Sequence, residues 1–443
     1  MERYFRVKNF VPETFWTIKV RHNRKGIDVN FSWARNRLFD RLSVIILYER
    51  CLNTKIAKVT KVQEKPTRKF KPLPLTTVEL QKAATRLLKM SGQQAMNIAE
   101  SLYNKGFISY PRTETDRFDK GMNLRALCAK QTQDGRWGQF AQNLVNGAFN
   151  QPREGRHDDK AHPPIHPVTY AGPTALNHDE ARLYEYVVRR FLACCSEDAK
   201  GLATEVEINY GGEIFSAHGV IVLERNYLDV FVYEKWNSSA ELPKFVMGEQ
   251  FQPTEAMMTE GKTSRPNYLT EADLIALMDA NGIGTDATMA EHIQKIQDRH
   301  YVDVVNLQNQ NQNDEGDGDD DGAPPARGRG RGRPGGAGAS GGRGKTGKYF
   351  VPTRLGVALI LGFDRMNFET SLGKPFLRRE MESKMKAICE GRTTKAAVLQ
   401  ESIGQYRQVF FQSQEKIGVL RAVRTLDAFL WLRCASFFFF FLV

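Results

Sequence analysis

Tyr110 and Arg112, two residues apart in Ile108-Ser109-Tyr110-Pro111-Arg112-Thr113-Glu114-Thr115, have the side chains best suited to attack and hold a phosphate ester. A phenol ionises near pH 10, so its attack on phosphorus needs cations to stabilise the developing phenolate and the pentacovalent charge. A guanidinium two residues away supplies one, because it recognises phosphate through paired hydrogen bonds. The plainer alternatives are a packed ring with a hydrogen-bonded hydroxyl for Tyr110 and a surface ion pair for Arg112.

Two further stretches carry anion chemistry. In His157-Asp158-Asp159-Lys160-Ala161-His162-Pro163-Pro164-Ile165-His166-Pro167, His162 and His166 stand four apart, a metal-pair spacing on a helix, but Pro163, Pro164 and Pro167 exclude a helix. A rigid loop presenting imidazoles and Lys160 to an anion remains, beside the plain alternative of ordinary loop histidines. Gly282-Ile283-Gly284-Thr285-Asp286-Ala287-Thr288 opens a helix, where free backbone N–H groups and the positive dipole end make a phosphate site. Thr288 adds a hydroxyl, as a phosphate contact, a simple N-cap or both.

Other sites are excluded by pattern. The six cysteines, Cys51, Cys128, Cys194, Cys195, Cys389 and Cys434, form no C-x-x-C pair, so neither a zinc site nor a disulfide framework is expected. The acidic run Asp314 to Asp321 lacks the closing glutamate of a calcium loop and precedes Pro324-Pro325, which makes it a solvated linker. The Arg-Gly repeats from Arg327 to Arg333 read as a nonspecific nucleic-acid contact or a flexible tether.

The positioning elements are legible from periodicity. Trp16, Ile18 and Val20, then Ile27, Val29 and Phe31, alternate with polar residues around Gly26, which predicts a hairpin with one cationic face. A Lys-rich strand pattern runs from Ile56 to Pro74. Thr76-x-x-Glu79 and Ser91-x-x-Gln94 predict two capped helices, and Gly106 ends the second before a short strand, Phe107 to Tyr110, that holds the tyrosine at its tip. Asp179 to Cys195 reads as a helix. Strands return at Val206 to Tyr210 and from Ile214 through Val232 around Gly211-Gly212. Thr270-x-x-Asp273 caps a helix ended by Asn281-Gly282, and helices follow from residue 288, at Thr353 to Leu361, at Arg378 to Cys389 and from Lys395 to about Ser413.

Composition fits a soluble multidomain protein: 443 residues, 41% hydrophobic and 26% charged. The formal charge is +12, and residues 1–80 hold 18 Lys/Arg against 7 Asp/Glu, so this first fifth carries +11. A local basic surface for a polyanion is the expectation. The charged start, Met1-Glu2-Arg3-Tyr4-Phe5-Arg6, does not read as a secretory signal. The apolar stretch Ala428 to Val443 is interrupted by Arg433 and is shorter than the roughly 20 residues of a span, so no membrane partner is expected and the tail reads as aberrant.

The stretch Gly106 to Thr115 resembles the active-site tyrosine motif of the type IA DNA topoisomerases, in particular their eukaryotic topoisomerase III branch. His157 to Pro167 resembles the family's histidine motif, and Tyr268 to Ile275 with Gly282 to Ala290 its second DNA-binding motif. The three occur in the family's order and extend the resemblance over roughly residues 5–415. The resemblance implies a mixed α/β multidomain body of toroidal shape: an interrupted β arch domain (1–74 and 199–265), an inserted domain bearing the tyrosine (75–198) and an α-helical DNA-binding domain (266–415) with a disordered insertion at 306–347. Residues 416–443 are expected to be an unstructured tail. It further implies transient single-strand cleavage through a 5′-phosphotyrosyl bond on Tyr110, strand passage and religation. Arg112 and His162 would hold the scissile phosphate, and Lys160, Gly284, Thr285 and Thr288 would bind DNA. Implied partners are single-stranded DNA, a RecQ-type helicase and an OB-fold accessory protein in the nucleus.

The family uses magnesium held by a Toprim domain, and this sequence shows no counterpart of that domain's Glu and Asp-x-Asp set. The expectation is therefore a chain that by itself binds single-stranded DNA and has little or no relaxation activity. Two other classes stay open on the sequence: a non-catalytic single-strand-binding isoform and a generic RNA-binding protein.

Overall fold

The computed structural model describes residues 1–236, 242–286, 288–307, 347–368 and 372–422. The acidic and Arg-Gly runs and the Phe-rich tail lie outside the described residues.

Seven antiparallel strands form one sheet: β1 (Thr14–Arg24), β2 (Ile27–Trp33), β3 (Ala57–Lys69), β4 (Ala199–Tyr210), β5 (Glu213–Glu224), β6 (Gln250–Phe251) and β7 (Glu255–Lys262), in the order β6-β3-β4-β5-β2-β1-β7. The predicted hairpin is β1 and β2, turning through Lys25 and Gly26, both at positive φ. Its alternation buries Ile18, Val20, Val29, Phe31 and Trp33 and leaves Lys19 and Arg21 exposed. Strand β1 also pairs with β7, and β3 with β4, so segments on both sides of residues 70–198 complete the sheet. Glu213 pins that closure, accepting from Trp33 Nε1 at 2.8 Å and from Arg35 Nε at 2.7 Å.

Between β2 and β3 the chain forms a helix, Arg41–Thr54, in a segment where periodicity predicts nothing. Asp40 caps it by accepting from the N–H groups of Leu42 and Ser43. Leu42, Ile46 and Leu52 stay exposed while Val44 and Cys51 are buried, so the apolar residues spread around the helix and leave no single stripe to read. Strand β5 ends at Glu224; the stretch to Val232, expected as strand, turns instead through Asn226–Asp229 and buries Tyr227 and Leu228 against the neighbouring helical unit.

Residues 70–198 build that unit around Leu80, Trp137, Leu183, Tyr184, Val187 and Phe191. Its helices include Thr77–Ala83, Gly92–Asn104 and His178–Cys194, the last closed by a full capping box between Asn177 and Glu180. Thr76 and Ser91 cap as expected, accepting from Glu79 N and Gln94 N. Neither closes a full capping box: Glu79 accepts from Lys82, and Gln94 Nε2 donates to Asp179.

A third core gathers Ile275, Met278, Met289, Ile293 and Phe350. It joins helices Glu271–Ala280 and Met289–Asp298 to a hairpin of β8 (Val302–Leu307) and β9 (Gly347–Pro352), which periodicity did not indicate because the low-complexity run separates its strands. Helices Arg354–Met366, Phe376–Cys389 and Lys395–Glu415 follow. Ile417–Ala422 is also helical, against the expected irregular tail; Lys416 Nζ anchors its start on the carbonyl of Met366 at 2.9 Å.

Candidate active site

Tyr110 stands where the Gly92–Asn104 helix is turned back on itself. Gly106, at φ +77°, takes the conformation that ends the helix, with its N–H donating to the Tyr103 carbonyl and that of Phe107 to Leu102. The following residues do not form the expected strand. One bridge, Ile108 to Pro167, is flanked by bonds from Ser109 N to His166 O and from Val168 N to Phe107 O, both 2.9 Å. Pro111 and the prolines at 163, 164 and 167 lack the N–H groups that would lengthen the ladder.

Side chains extend the pairing where backbone cannot. Ser109 Oγ donates to the Pro164 carbonyl at 3.1 Å and accepts from His166 N at 3.0 Å. Thr77 Oγ1, buried at the start of its helix, donates to Pro111 O at 2.7 Å and accepts from Thr113 N at 2.7 Å. Thr113 Oγ1 donates to Asp159 Oδ2 at 3.1 Å, and Thr115 Oγ1 accepts from Asp159 N at 3.0 Å. His157 closes the set: its N–H donates to Asp116 Oδ1 and its Nδ1 sits 2.9 Å from Oδ2. Thus the stretches 109–116 and 155–168, forty residues apart in sequence, fold as one unit.

That unit brings His162 to Tyr110, with ring centroids 4.7 Å apart, while Tyr103 meets Tyr110 edge-on at 5.3 Å. Asp159 orients His162 by accepting from its backbone N–H at 2.8 Å, and its Oδ2 lies 3.7 Å from the imidazole Nδ1. Burial raises the Asp159 pKa, but the N–H groups of His162 and Ala161 and two threonine hydroxyls outweigh it and hold the carboxyl below its ordinary value. Arg112 donates from Nε and Nη2 to Glu100 Oε1, the former at 2.8 Å. Lys160 is brought to the same loop, at φ +63°, but its ammonium is exposed and 3.1 Å from Asp158. His166 is a buried structural histidine: its Nδ1–H donates to Pro164 O at 2.6 Å, and desolvation lowers its pKa.

The glycine motif comes alongside. Gly282 and Gly284 take positive φ, and the helix Met289–Asp298 that follows packs on the Gly92–Asn104 helix. Thr288 occupies the N-cap position without capping; its Oγ1 instead accepts from Thr285 N at 2.9 Å and lies 3.3 Å from Thr285 Oγ1. This corrects the expectation of free N–H groups at one position, since that of Thr285 is taken. Glu291 faces the tyrosine loop, its carboxyl held low by hydrogen-bonded Lys295 and, more weakly, by Arg112. Glu114 is pushed up by desolvation and then by Asp286, a carboxylate on the opposing motif. Gly284, Thr285 and Thr288 therefore belong to the neighbourhood of Tyr110, Arg112 and His162.

Sequence reasoning missed Glu100, Thr77, Thr113 and Asp159. Only Asp159 gave a signal, as an Asx residue before a tight loop. Among the described residues, no three His, Cys, Asp or Glu side chains converge to hold a cation, so these residues do not fit the magnesium ion that the resemblance implies. No described helix is long and apolar enough to cross a membrane.

Comparison with known proteins bears on this arrangement. A family model described as DNA topoisomerase matches residues 1–316. The chain is 44% identical over 422 residues to DNA topoisomerase 3 of Schizosaccharomyces pombe, covering 95% of this chain and 62% of that protein. It is 44% identical over 416 residues to DNA topoisomerase 3-alpha of Homo sapiens, covering 94% of this chain and 37% of that one. The chain thus spans 62% or less of the length of these relatives. A solved structure of full-length topoisomerase I from Thermotoga maritima superimposes with a TM-score of 0.67 over 93% of this chain and 61% of that one, at 20% identity, which shows a shared fold. The tyrosine unit, the interrupted sheet and the match over residues 1–316 lead to one assignment: the chain belongs to the type IA DNA topoisomerase family, on its topoisomerase 3 branch.

Proposed function

We propose that this chain cleaves and rejoins single-stranded DNA at Tyr110, the reaction of a type IA topoisomerase that relaxes negative supercoils and resolves DNA junctions. The observation that carries it is the convergence of a half-buried phenol, an imidazole 4.7 Å away and a guanidinium two residues on, on one hydrogen-bonded unit. Tyr110 Oη attacks the scissile phosphorus and loses its proton; the P–O3′ bond breaks, and the 3′ oxygen gains a proton as the 5′-phosphotyrosyl bond forms. Arg112 stabilises charge on the non-bridging oxygens, and His162 contacts the phosphate beside the nucleophile. Gly284, Thr285 and Thr288 hold the adjacent DNA backbone, with Lys160 at the exposed rim. Rejoining is the same step reversed, so no nucleotide hydrolysis is needed.

Within this reading the chain works in the nucleus with a RecQ-type helicase that supplies single strands and an OB-fold protein that steadies the open state. The decisive experiment incubates the chain with end-labelled single-stranded DNA, with and without magnesium, and quenches with denaturant. A covalent adduct that disappears in Tyr110→Phe is expected. An equal yield of adduct from that variant sinks the assignment of the nucleophile.

A further inference from the structure

One face of the sheet carries a groove of about 610 Å³ lined by residues of β1, β2, β7 and the loop after β2, none of them from the tyrosine unit. Register decides its composition. Lys19 pairs with Ser32 and Met257, and Arg21 with Asn30 and Glu255, so these side chains share one face opposite buried Ile18, Val20 and Phe31. The loop after β2 adds Arg37, whose guanidinium lies 4.8 Å over the Phe15 ring and is thereby fixed at the groove's end. Phe15 itself packs over Gly261, where a Cβ would come within 2.6 Å of the ring.

The charge balance points to an anion. Glu255 is the carboxylate on the groove wall, and Arg21 already pairs with it at 2.8 Å. Lys19 and Arg37 make no ion pair among the described residues. Lys19 and Arg21, two apart on this face of β1, stand about 7 Å from each other along the strand. Asn30 and Ser32 are exposed between the cations as neutral hydrogen-bonding groups. An acidic peptide would answer the same charge, and the proposed function selects a nucleic acid instead.

We propose that this groove is a second binding site for single-stranded nucleic acid, with Lys19 and Arg37 on its phosphates. It takes a strand segment other than the one at Tyr110, and it rests on the proposed function only in taking DNA as the ligand.

The test measures equilibrium binding of a fluorescein-labelled thirty-nucleotide oligothymidylate across a salt series, for the full chain and its Lys19→Gln/Arg37→Gln double variant. Loss of two phosphate contacts lowers the magnitude of the slope of log K against log salt by about 1.4 and weakens binding roughly tenfold. Unchanged slope and affinity in a folded double variant overturn the proposal. Should that variant unfold, photocrosslinking of bromodeoxyuridine-substituted oligonucleotide to the wild-type chain decides: adducts on the peptide spanning residues 15–37 support the site, and adducts confined to 106–168 and 282–298 overturn it. Polyglutamate that blocks the 15–37 crosslinks more strongly than oligothymidylate of equal charge identifies an acidic-protein surface and also overturns it. The slope is read without cleavage, so a missing tyrosyl adduct does not disturb the result.

Discussion

At the scale of single residues, the chemistry of Tyr110 depends on groups that hold its partners still. Arg112 sits between two demands, the phosphate it is proposed to meet and the carboxylate of Glu100 that fixes it in the absence of DNA. Its Nε and Nη2 both donate to one oxygen of Glu100, which fixes the plane of the guanidinium. Glu100 is thus a positioning residue. Glu100→Ala should slow formation of the covalent adduct roughly ten- to a hundredfold while single-strand affinity stays within about twofold, because a misplaced cation costs the transition state more than the ground state. Timed denaturant quenches alongside equilibrium binding check it; equal losses in both would mean that Glu100 merely supports the fold.

At the scale of elements, the tyrosine loop and the histidine loop stand or fall together, since each supplies the other's hydrogen-bond partners. His166 is the joint where pH enters. Its neutral ring donates to Pro164, meets Phe118 edge-on and lies tilted against Phe191, and burial holds its pKa below the ordinary 6.5. The unfolded chain therefore binds a proton that the folded chain resists. Its contribution to stability is complete above about pH 6.5 and is lost as pH falls toward the depressed folded value. Thermal unfolding between pH 7.5 and 5.5 should show a falling midpoint. His166→Gln should flatten that dependence, and an unaltered slope in the variant would assign the titration elsewhere.

At the scale of the whole molecule, helix Glu271–Ala280 of the third core packs on helix Thr77–Ala83 of the tyrosine-bearing unit, and one contact beside that seam bears on the site. Glu271, the first residue of its helix, accepts from Gly92 N at 2.7 Å and so caps the helix that leads to Tyr110. A side chain at 92 would press on this carboxylate, with a Cβ 2.9 Å from Oε1. Arg86 and Asp273, 3.3 Å apart, add an exposed ion pair beside it. Removing the cap in Glu271→Ala should cost about 1 kcal/mol of the contact between the two units and raise the hydrogen-exchange rate of the Gly92 amide several-fold. Exchange unchanged at Gly92 would show that the apolar contacts around Val78 hold the units by themselves.

Some of this was legible in the sequence itself. The alternation in β1 and β2, the caps at Thr76, Ser91 and Thr270, and the helix stop at Gly106 are local, because they depend on periodicities of a few residues and on backbone preferences of single positions. So was the chemistry of Tyr110, Arg112 and His162 as residue types, since proline spacing alone excluded a helical histidine pair. The Arg41–Thr54 helix was not, because its apolar residues spread around its circumference, nor was the β8–β9 hairpin, whose strands are thirty-nine residues apart in sequence. Only tertiary structure decided that Glu100 holds Arg112, that Thr77 and Asp159 tie the tyrosine and histidine loops together, and that Thr288 turns back to Thr285. Each of those is a contact whose partner is set by how the chain returns on itself, and composition or short-range spacing carries no record of that path.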